Sequence, residues 1–214
     1  MPSQKTIGRI AAATPAWFLL IYFAMSARRP EYSHLTKAIS ELGSWDAPNL
    51  WVWNLLGYIL PGLAISYLGV GLLREFSPKA RIPSTALIVS GLLMALSGVF
   101  PGDFENRQSP SMLMHLVGSL GSYVAFLVAG IGLLRAMRSA PAWRWAAWPS
   151  LALVLLSVAT GFLRSGTAPG LGQRLGFACF FLWVALMGFA MMRASAVRAP
   201  HNNLSKPTPL RGAA

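Results

Sequence analysis

Three polar side chains of this 214-residue chain stand at equivalent positions in apolar segments. Asn54, His115 and Gln173 each precede a glycine by three residues and an arginine by 20 residues. If the segments are helices, 20 residues correspond to about 30 Å, which is the thickness of the hydrocarbon core of a bilayer. The three side chains are therefore predicted to share one depth, near one boundary of a membrane.

His115 is the residue best suited to proton transfer, because it is the only histidine within an apolar segment and imidazole exchanges protons near neutral pH. Asp103 lies 12 residues earlier, and its carboxylate could fix the tautomer of His115 and raise its basicity. The alternative is that His115 is a structural hydrogen-bond partner and that Asp103 only caps its loop. Both roles stay open at the level of the sequence.

Other polar residues near the same boundary complete a set of candidate ligand-binding positions. The six candidates are Ser40, Glu41, Asn54, Asp103, His115 and Arg174. Arg174 is suited to an anionic headgroup, since guanidinium binds carboxylate and phosphate in bidentate fashion. Glu41 follows Lys37 by four residues, so it could equally form a surface ion pair. No catalytic residue is assigned, although His115 and Asp103 are candidates.

The segment Glu31–Leu42 has a helical pattern of apolar residues that ends before Gly43. Its apolar positions are Tyr32, Leu35, Ile39 and Leu42. We expect a short amphipathic helix that lies on the outer membrane surface or over the mouth of a bundle.

Neither a metal nor a cofactor is expected. The single cysteine, Cys179, lies in an apolar run and is expected to be a small packed residue. A haem pair would need histidines on neighbouring spans, and a zinc site would need more ligands than His115 and Asp103. The sequence also lacks a phosphate-binding Gly-rich loop and the GxSxG and HExxH motifs.

The elements that position these residues are membrane helices. Hydrophobic residues make up 55% of the chain and charged residues 11%, against roughly 25% charged in a soluble domain. Six charge-free stretches are long enough to cross a bilayer. They are Ile10–Ala27, Trp51–Leu73, Ile82–Gly102, Ser111–Leu134, Trp145–Leu163 and Leu175–Met192. The sequence predicts an all-α bundle of six transmembrane helices, with residues 1–9 before it and a flexible tail, 193–214, after it.

The distribution of charge predicts the orientation of the bundle. Residues 1–9, 74–81, 135–144 and 193–214 hold twelve basic residues and one acidic residue, whereas the alternate connections hold six and five. Because cytoplasmic loops carry the excess of Lys and Arg, both termini are predicted to be cytoplasmic in a cell membrane. The net charge of +12 is then explained by contact with membrane lipids, and nucleic acid is not an expected partner.

Spans two, four and six resemble one another, which predicts three helical hairpins related as a degenerate repeat. Gly69-Val-Gly-Leu-Leu-Arg74 matches Gly130-Ile-Gly-Leu-Leu-Arg135, and Gly188-Phe-Ala-Met-Met-Arg193 is a weaker third copy. Within span two, Pro61 followed by Gly62 predicts a bend.

Five short motifs occur in an order that resembles the order in a known family. They are Ser40-Glu-Leu-Gly43, Asn54-xx-Gly57, Phe100-Pro-Gly-Asp103, His115-xx-Gly118 and Gly170-Leu-Gly-Gln-Arg174. Over Ile10–Met192 the chain resembles the membrane proteins known as domain of unknown function 998. The resemblance implies a prokaryotic six-span protein without an established activity, whose recurring polar positions map onto the six candidates. In the third motif of this chain, Gly102 separates Pro101 from Asp103, which departs from the proline–acid pair of the family.

The function expected from these observations is the binding of a small or lipid-like ligand at the outer mouth of the bundle. One alternative is an intramembrane enzyme that acts on a lipid or lipid-linked substrate with His115 as acid or base. A transporter or a membrane scaffold are further alternatives. No charged residue lies deep in a predicted span, which argues against an ion path. The oligomeric state is left open.

Overall fold

A computed structural model describes residues 3–165 and 168–204, and six of its helices are long and apolar enough to span a membrane. The six helices are α1 Gln4–Ser26, α2 Leu50–Phe76, α3 Arg81–Val99, α4 Pro110–Ser139, α5 Arg144–Leu163 and α6 Pro169–Leu204. No strand occurs in the described residues. The predicted all-α fold class is confirmed, while the repeat and the orientation stay predictions.

The helices extend beyond several of the predicted spans. Helix α4 includes Arg135 and Arg138, which end the charge-free stretch of the sequence but not the helix. Long basic side chains allow this, because their apolar stems lie along the helix while the charge reaches the interface. Helix α6 likewise continues past Met192 to Leu204, and residues 205–214 of the predicted tail lie outside the described residues.

Helix α2 contains an irregular turn close to Pro61, while the bend expected at Pro61–Gly62 stays a prediction. The turn Asn54–Ile59 is a π-helix that ends two residues before Pro61. Proline has no N–H, so it cannot donate to the carbonyl of Leu56, five residues earlier, as π-helical pairing would require. The indole Nε1 of Trp17 on α1 donates to that carbonyl instead, at 2.9 Å. The wide turn is thus stabilised by a neighbouring helix.

Small residues allow the helices to pack closely. Gly8 on α1 and Gly188 on α6 face each other so tightly that a Cβ on either would collide with the carbonyl of the other. Gly62 on α2 and Gly91 on α3 form a similar contact. Glycine permits such backbone approach in membrane bundles. In the bundle, helix α3 packs between α2 and α4, and α1 packs against α6.

The connection 27–49 at the predicted outer end does not form the helix predicted over Glu31–Leu42. It folds as turns followed by a 3-10 helix, Ile39–Gly43. The apolar pattern was still informative about burial, because Tyr32, Ile39 and Leu42 are buried. Leu35 is exposed. The helix prediction was wrong because local turn bonds and a buried arginine organise this segment.

That arginine is Arg29, whose side chain is only 6% exposed. Its Nε donates to the carboxylate of Glu31 at 2.5 Å, and its two Nη atoms donate to Asp46 and to the carbonyl of Glu41. The hydrogen bond from Arg29 lowers the pKa of Glu31. Burial acts to raise the pKa of Asp46, but hydrogen bonds from Ser44 and Arg29 prevail and lower it. The connection is therefore built around one buried cation.

Candidate functional site

Two polar groupings lie at the predicted outer end of the bundle. We call the first the arginine clamp, formed by Arg174, Tyr22, Tyr32 and His34. We call the second the histidine cavity, a cavity of about 260 Å³ lined by His115 and other residues of α4, α5 and α6. The two groupings differ in how completely their polar atoms are paired.

The arginine clamp uses Arg174 to join α6 to α1 and to the connection 27–49. Its Nε donates to the hydroxyl of Tyr22 at 2.7 Å and its Nη2 to that of Tyr32 at 2.5 Å. Its Nη1 donates to the carbonyls of Lys37 and Gly170, at 2.9 and 2.7 Å. Both tyrosine rings also lie within cation–π distance of the guanidinium.

The partners of Arg174 are neutral. Burial raises the pKa of Tyr32, so its hydroxyl stays protonated and the charge beside it is not neutralised. The hydroxyl of Tyr22 is also paired with Nδ1 of His34. Within the described residues no carboxylate pairs with Arg174. The side chain that was expected to meet an anionic headgroup is thus engaged by the protein itself.

The histidine cavity lies between α4, α5 and α6, beneath Ala38 and Ser40 of the connection 27–49. Its polar lining consists of hydroxyl groups, one imidazole and one amide. Representative members are Tyr58, His115, Ser119, Tyr123, Thr160 and Gln173. Among the described residues no charged side chain lines it. Phe180 also lines the cavity, and its ring packs edge to face against that of Phe126, with the centroids 4.7 Å apart.

His115 is 3% exposed and is held by backbone carbonyls. Its Nδ1 lies 2.9 Å from the carbonyl oxygen of Ser97 and 3.0 Å from that of Phe100. Since both oxygens can only accept, Nδ1 must carry the hydrogen, and in the neutral ring Nε2 is then an acceptor. No described residue donates a hydrogen bond to Nε2. The ring therefore presents an unpaired acceptor where it lines the cavity.

Asp103 does not form the pair with His115 that its spacing suggested. Its Oδ1 accepts the N–H of Asn106 at 2.9 Å, which closes a turn in the connection between α3 and α4. The two carbonyls at the end of α3 fix the tautomer of His115 instead, because Val99 is the last residue of that helix and its final carbonyls lack helical partners.

Asn54 and Glu41 support the connection 27–49. Asn54 is 1% exposed and its Nδ2 donates to the carbonyl of Gly43 at 3.0 Å. Its Oδ1 is buried without a hydrogen-bond partner. Glu41 accepts the N–H of Ala38 at 2.7 Å and pairs with Lys37 at 3.3 Å, as the four-residue spacing allowed. Neither residue lines the cavity.

Of the six candidates, Ser40 and His115 line the histidine cavity. Ser40 also interacts with Tyr58 of the π-helical turn. Gln173, which shares the predicted depth of His115, lines the cavity as well, and its Oε1 accepts the N–H of Ile39 at 2.7 Å. The fold therefore brings these groups together and keeps Asn54, Glu41, Asp103 and Arg174 in supporting positions.

Several lining hydroxyls were not singled out from the sequence, although a signal was present. Ser119 and Tyr123 follow His115 by four and eight residues, which places all three on one face of α4. Ser157 and Thr160 are three residues apart on α5. Polar residues that repeat at helical spacing within a span indicate a wet or ligand-facing surface more specifically than any one of them alone.

Metal ligands are not grouped in this part of the molecule. Across residues 3–165 and 168–204 no set of three His, Cys, Asp or Glu side chains is arranged to hold a metal ion. The single thiol, Cys179, is free and buried.

Comparison with known proteins gives one family match, and it covers most of the helical part of the chain. No curated protein and no solved structure matches this chain. The family described as protein of unknown function (DUF998) matches residues 12–190, a range that reaches from α1 to α6. The chain therefore belongs to the DUF998 family.

Proposed function

We propose that this protein binds a small or lipid-like ligand in the histidine cavity. The observation that carries the proposal is the acceptor nitrogen Nε2 of His115, which has no partner among the described residues where the ring lines the cavity. Polar groups at membrane depth are expensive to leave unpaired, so a partner outside the described chain is expected.

Water is the competing occupant. A cavity of about 260 Å³ is roomy enough for several waters, each of which takes roughly 30 Å³ in the liquid. The lining nevertheless combines hydroxyls with apolar side chains such as Met94, Met112 and Phe177. A few polar groups within a mainly apolar wall are typical of sites for small organic ligands.

The proposal is tested by filling the cavity. Ser119→Phe places a ring in the lining, while Val117→Phe adds the same ring to an exposed position of α4 outside the cavity. Native mass spectrometry and lipidomics would be applied to wild type and both variants in mild detergent. We expect a bound species in wild type and Val117→Phe that is lost from Ser119→Phe. The same bound species in all three proteins would contradict the proposal.

A second candidate is an intramembrane enzyme with His115 as general base or acid. The observation that favours it is the same ring geometry, since bonding of Nδ1 to carbonyls fixes the orientation and tautomer in which Nε2 can take a proton. Once a ligand is identified, product analysis separates the two functions. An enzyme forms product in wild type and none in His115→Asn, whereas a binding protein forms no product in either.

We also propose that the protein resides in the cell membrane with both termini cytoplasmic, as the distribution of basic residues supports. The test uses single introduced cysteines in a Cys179→Ser background, because that thiol is the only native one. A membrane-impermeant maleimide should label Glu105→Cys in intact cells and should label Lys79→Cys only after lysis. The reverse pattern would invert the topology.

A further inference from the structure

The structure assigns the histidine cavity to an uncharged amphiphile that carries a hydroxyl group and enters from the bilayer. This inference rests on the proposed function and narrows it to one chemical class. It is carried by three properties of the cavity: the absence of charge from its described lining, the single acceptor of His115, and a wall that faces lipid.

The charge of the described lining argues against an ionic head. Among the described residues no Lys, Arg, Asp or Glu lines the cavity. Arg174 belongs to the same end of the bundle, but it does not line the cavity and it donates four hydrogen bonds to protein atoms. A phosphate or carboxylate in the cavity would lose its hydration without meeting a counter-charge, which is strongly unfavourable. The occupant is therefore neutral.

The hydrogen-bonding pattern requires a donor. Nε2 of His115 can only accept in the tautomer that the two carbonyls impose. One and two turns along the same face of α4 stand Ser119 and Tyr123, whose hydroxyls both donate and accept. An alcohol supplies one donor to Nε2 and lone pairs to a neighbouring hydroxyl. An ester, ketone or ether supplies only acceptors and leaves Nε2 unpaired.

The wall of the cavity indicates entry from the membrane. Leu116 and Leu120 on α4 line the cavity, yet they are 36% and 57% exposed on the surface of the bundle. Because α4 is a membrane-spanning helix, that surface faces lipid rather than water. The cavity therefore borders the bilayer on one side.

The size of the cavity fits only part of a lipid. At about 260 Å³ it falls just below the roughly 300–1,000 Å³ of pockets that enclose drug-sized ligands. Phe180, which packs against Phe126, forms part of its apolar wall. The hydroxyl end and the first carbons of a long-chain alcohol fit within this space, and the rest of the chain stays in the bilayer beside Leu120.

The experiment compares four probes of one chain length on the purified protein. They are hexadecan-1-ol, its methyl ether, hexadecanoic acid and hexadecyl phosphate, each titrated into detergent micelles and followed by native mass spectrometry. We expect the alcohol to bind wild type at least about tenfold more tightly than the other three, because each of them lacks the donor or brings a charge. Comparable binding of the acid or the phosphate would overturn the inference.

Three variants test where the alcohol binds. In His115→Asn the amide nitrogen reaches the position of Nδ1 and can still donate to the carbonyls of Ser97 and Phe100, but nothing replaces Nε2. The alcohol should then bind about tenfold more weakly and no better than its ether. Ser119→Phe should abolish binding of the alcohol, and Val117→Phe should leave it unchanged. An unchanged affinity for the alcohol in His115→Asn would overturn the inference.

Failure of the inference is distinguishable from failure of the proposed function. If the four probes bind alike or not at all, yet Ser119→Phe still loses a species that co-purifies with wild type, only the assignment to an alcohol is overturned. If the filled variant retains every species that wild type holds, the cavity is not a binding site and both proposals fall.

Discussion

The arginine clamp and the histidine cavity lie at the same end of the bundle, and residues of both were candidates from the sequence. In the clamp, Arg174 donates four hydrogen bonds, all to groups of this chain. In the cavity, His115 uses one ring nitrogen and leaves the other without a described partner. A polar residue near a membrane boundary is thus not a site by itself. Under the proposed function, unfinished pairing of its atoms distinguishes a ligand-binding residue from one that supports the fold.

The sharpest test of this comparison, with the largest expected effect, is Arg174→Met. The change removes four hydrogen bonds at once and leaves the hydroxyls of Tyr22 and Tyr32 with fewer partners. We expect the free energy of unfolding to fall by about 3 kcal/mol, since hydrogen bonds to charged groups are the strong ones. Thermal unfolding in detergent measures the loss.

Arg107→Met is the matched control, because Arg107 is exposed in the connection between α3 and α4. It should change the stability by no more than about 0.5 kcal/mol. A stable Arg174→Met protein that had lost its ligand would reverse the comparison, because the clamp would then be the recognition element.

Asn54→Leu should have the next largest effect. The buried amide of Asn54 holds the carbonyl of Gly43, so its loss leaves that carbonyl unpaired beneath the connection 27–49. We expect a destabilisation of about 2 kcal/mol, partly offset because the unpaired Oδ1 is removed as well. Hydrogen exchange should rise in residues 39–43. A loss of ligand affinity without any loss of protection there would place Asn54 in the binding site.

The Arg29 cluster predicts a dependence of stability on pH. The pKa values of Glu31 and Asp46 are lowered in the folded protein, so their contribution to stability is present above the unfolded pKa and is lost as the pH falls through the folded pKa. We expect the melting temperature to fall below about pH 4. Asp46→Asn should flatten this profile.

The pH profile also has an internal control. Glu105 is exposed in another connection of the same end. Glu105→Gln should therefore leave the profile as it is in wild type. A profile that is equally steep in Asp46→Asn would show that Arg29 and Asp46 are not coupled as the geometry indicates.

The smallest effect is expected for Asp103→Ala. Only the turn to Asn106 is lost, which corresponds to about 0.5 kcal/mol, and the carbonyls that orient His115 are untouched. Ligand binding should therefore match that of wild type. A loss of binding comparable to that of His115→Asn would instead support the pairing of carboxylate and imidazole suggested by the sequence.

The helices of this protein were more predictable than its connections. Apolar length alone identified six spans, because the bilayer demands about 20 apolar residues per crossing. The segment Glu31–Leu42 was misassigned because its apolar pattern reflects the burial of Tyr32, Ile39 and Leu42 in turns and a 3-10 helix rather than on one face of an α-helix. Contacts with residues far along the chain decide such a segment, and they leave no periodic signal.

The candidate site was predictable in part of its membership but not in its pairing. His115 and Gln173 were grouped by their equivalent positions and both line one cavity, whereas Asn54 of the same group does not. Which group orients His115 could not be read from spacing, because the decisive acceptors are backbone carbonyls at the end of α3. Every residue has such a carbonyl, and only the end of a helix makes one available.

The close packing of Gly8 against Gly188 has a consequence for how the protein is made. Helix α1 is synthesised before α6, so it completes this contact only when α6 has entered the membrane. The connection 27–49 also completes its contacts late. Arg174, which donates to the carbonyl of Lys37 in this connection, is synthesised more than a hundred residues after it. Assembly of this end of the bundle is thus a late event, and a nascent chain that stops before α6 lacks residues of both the arginine clamp and the histidine cavity.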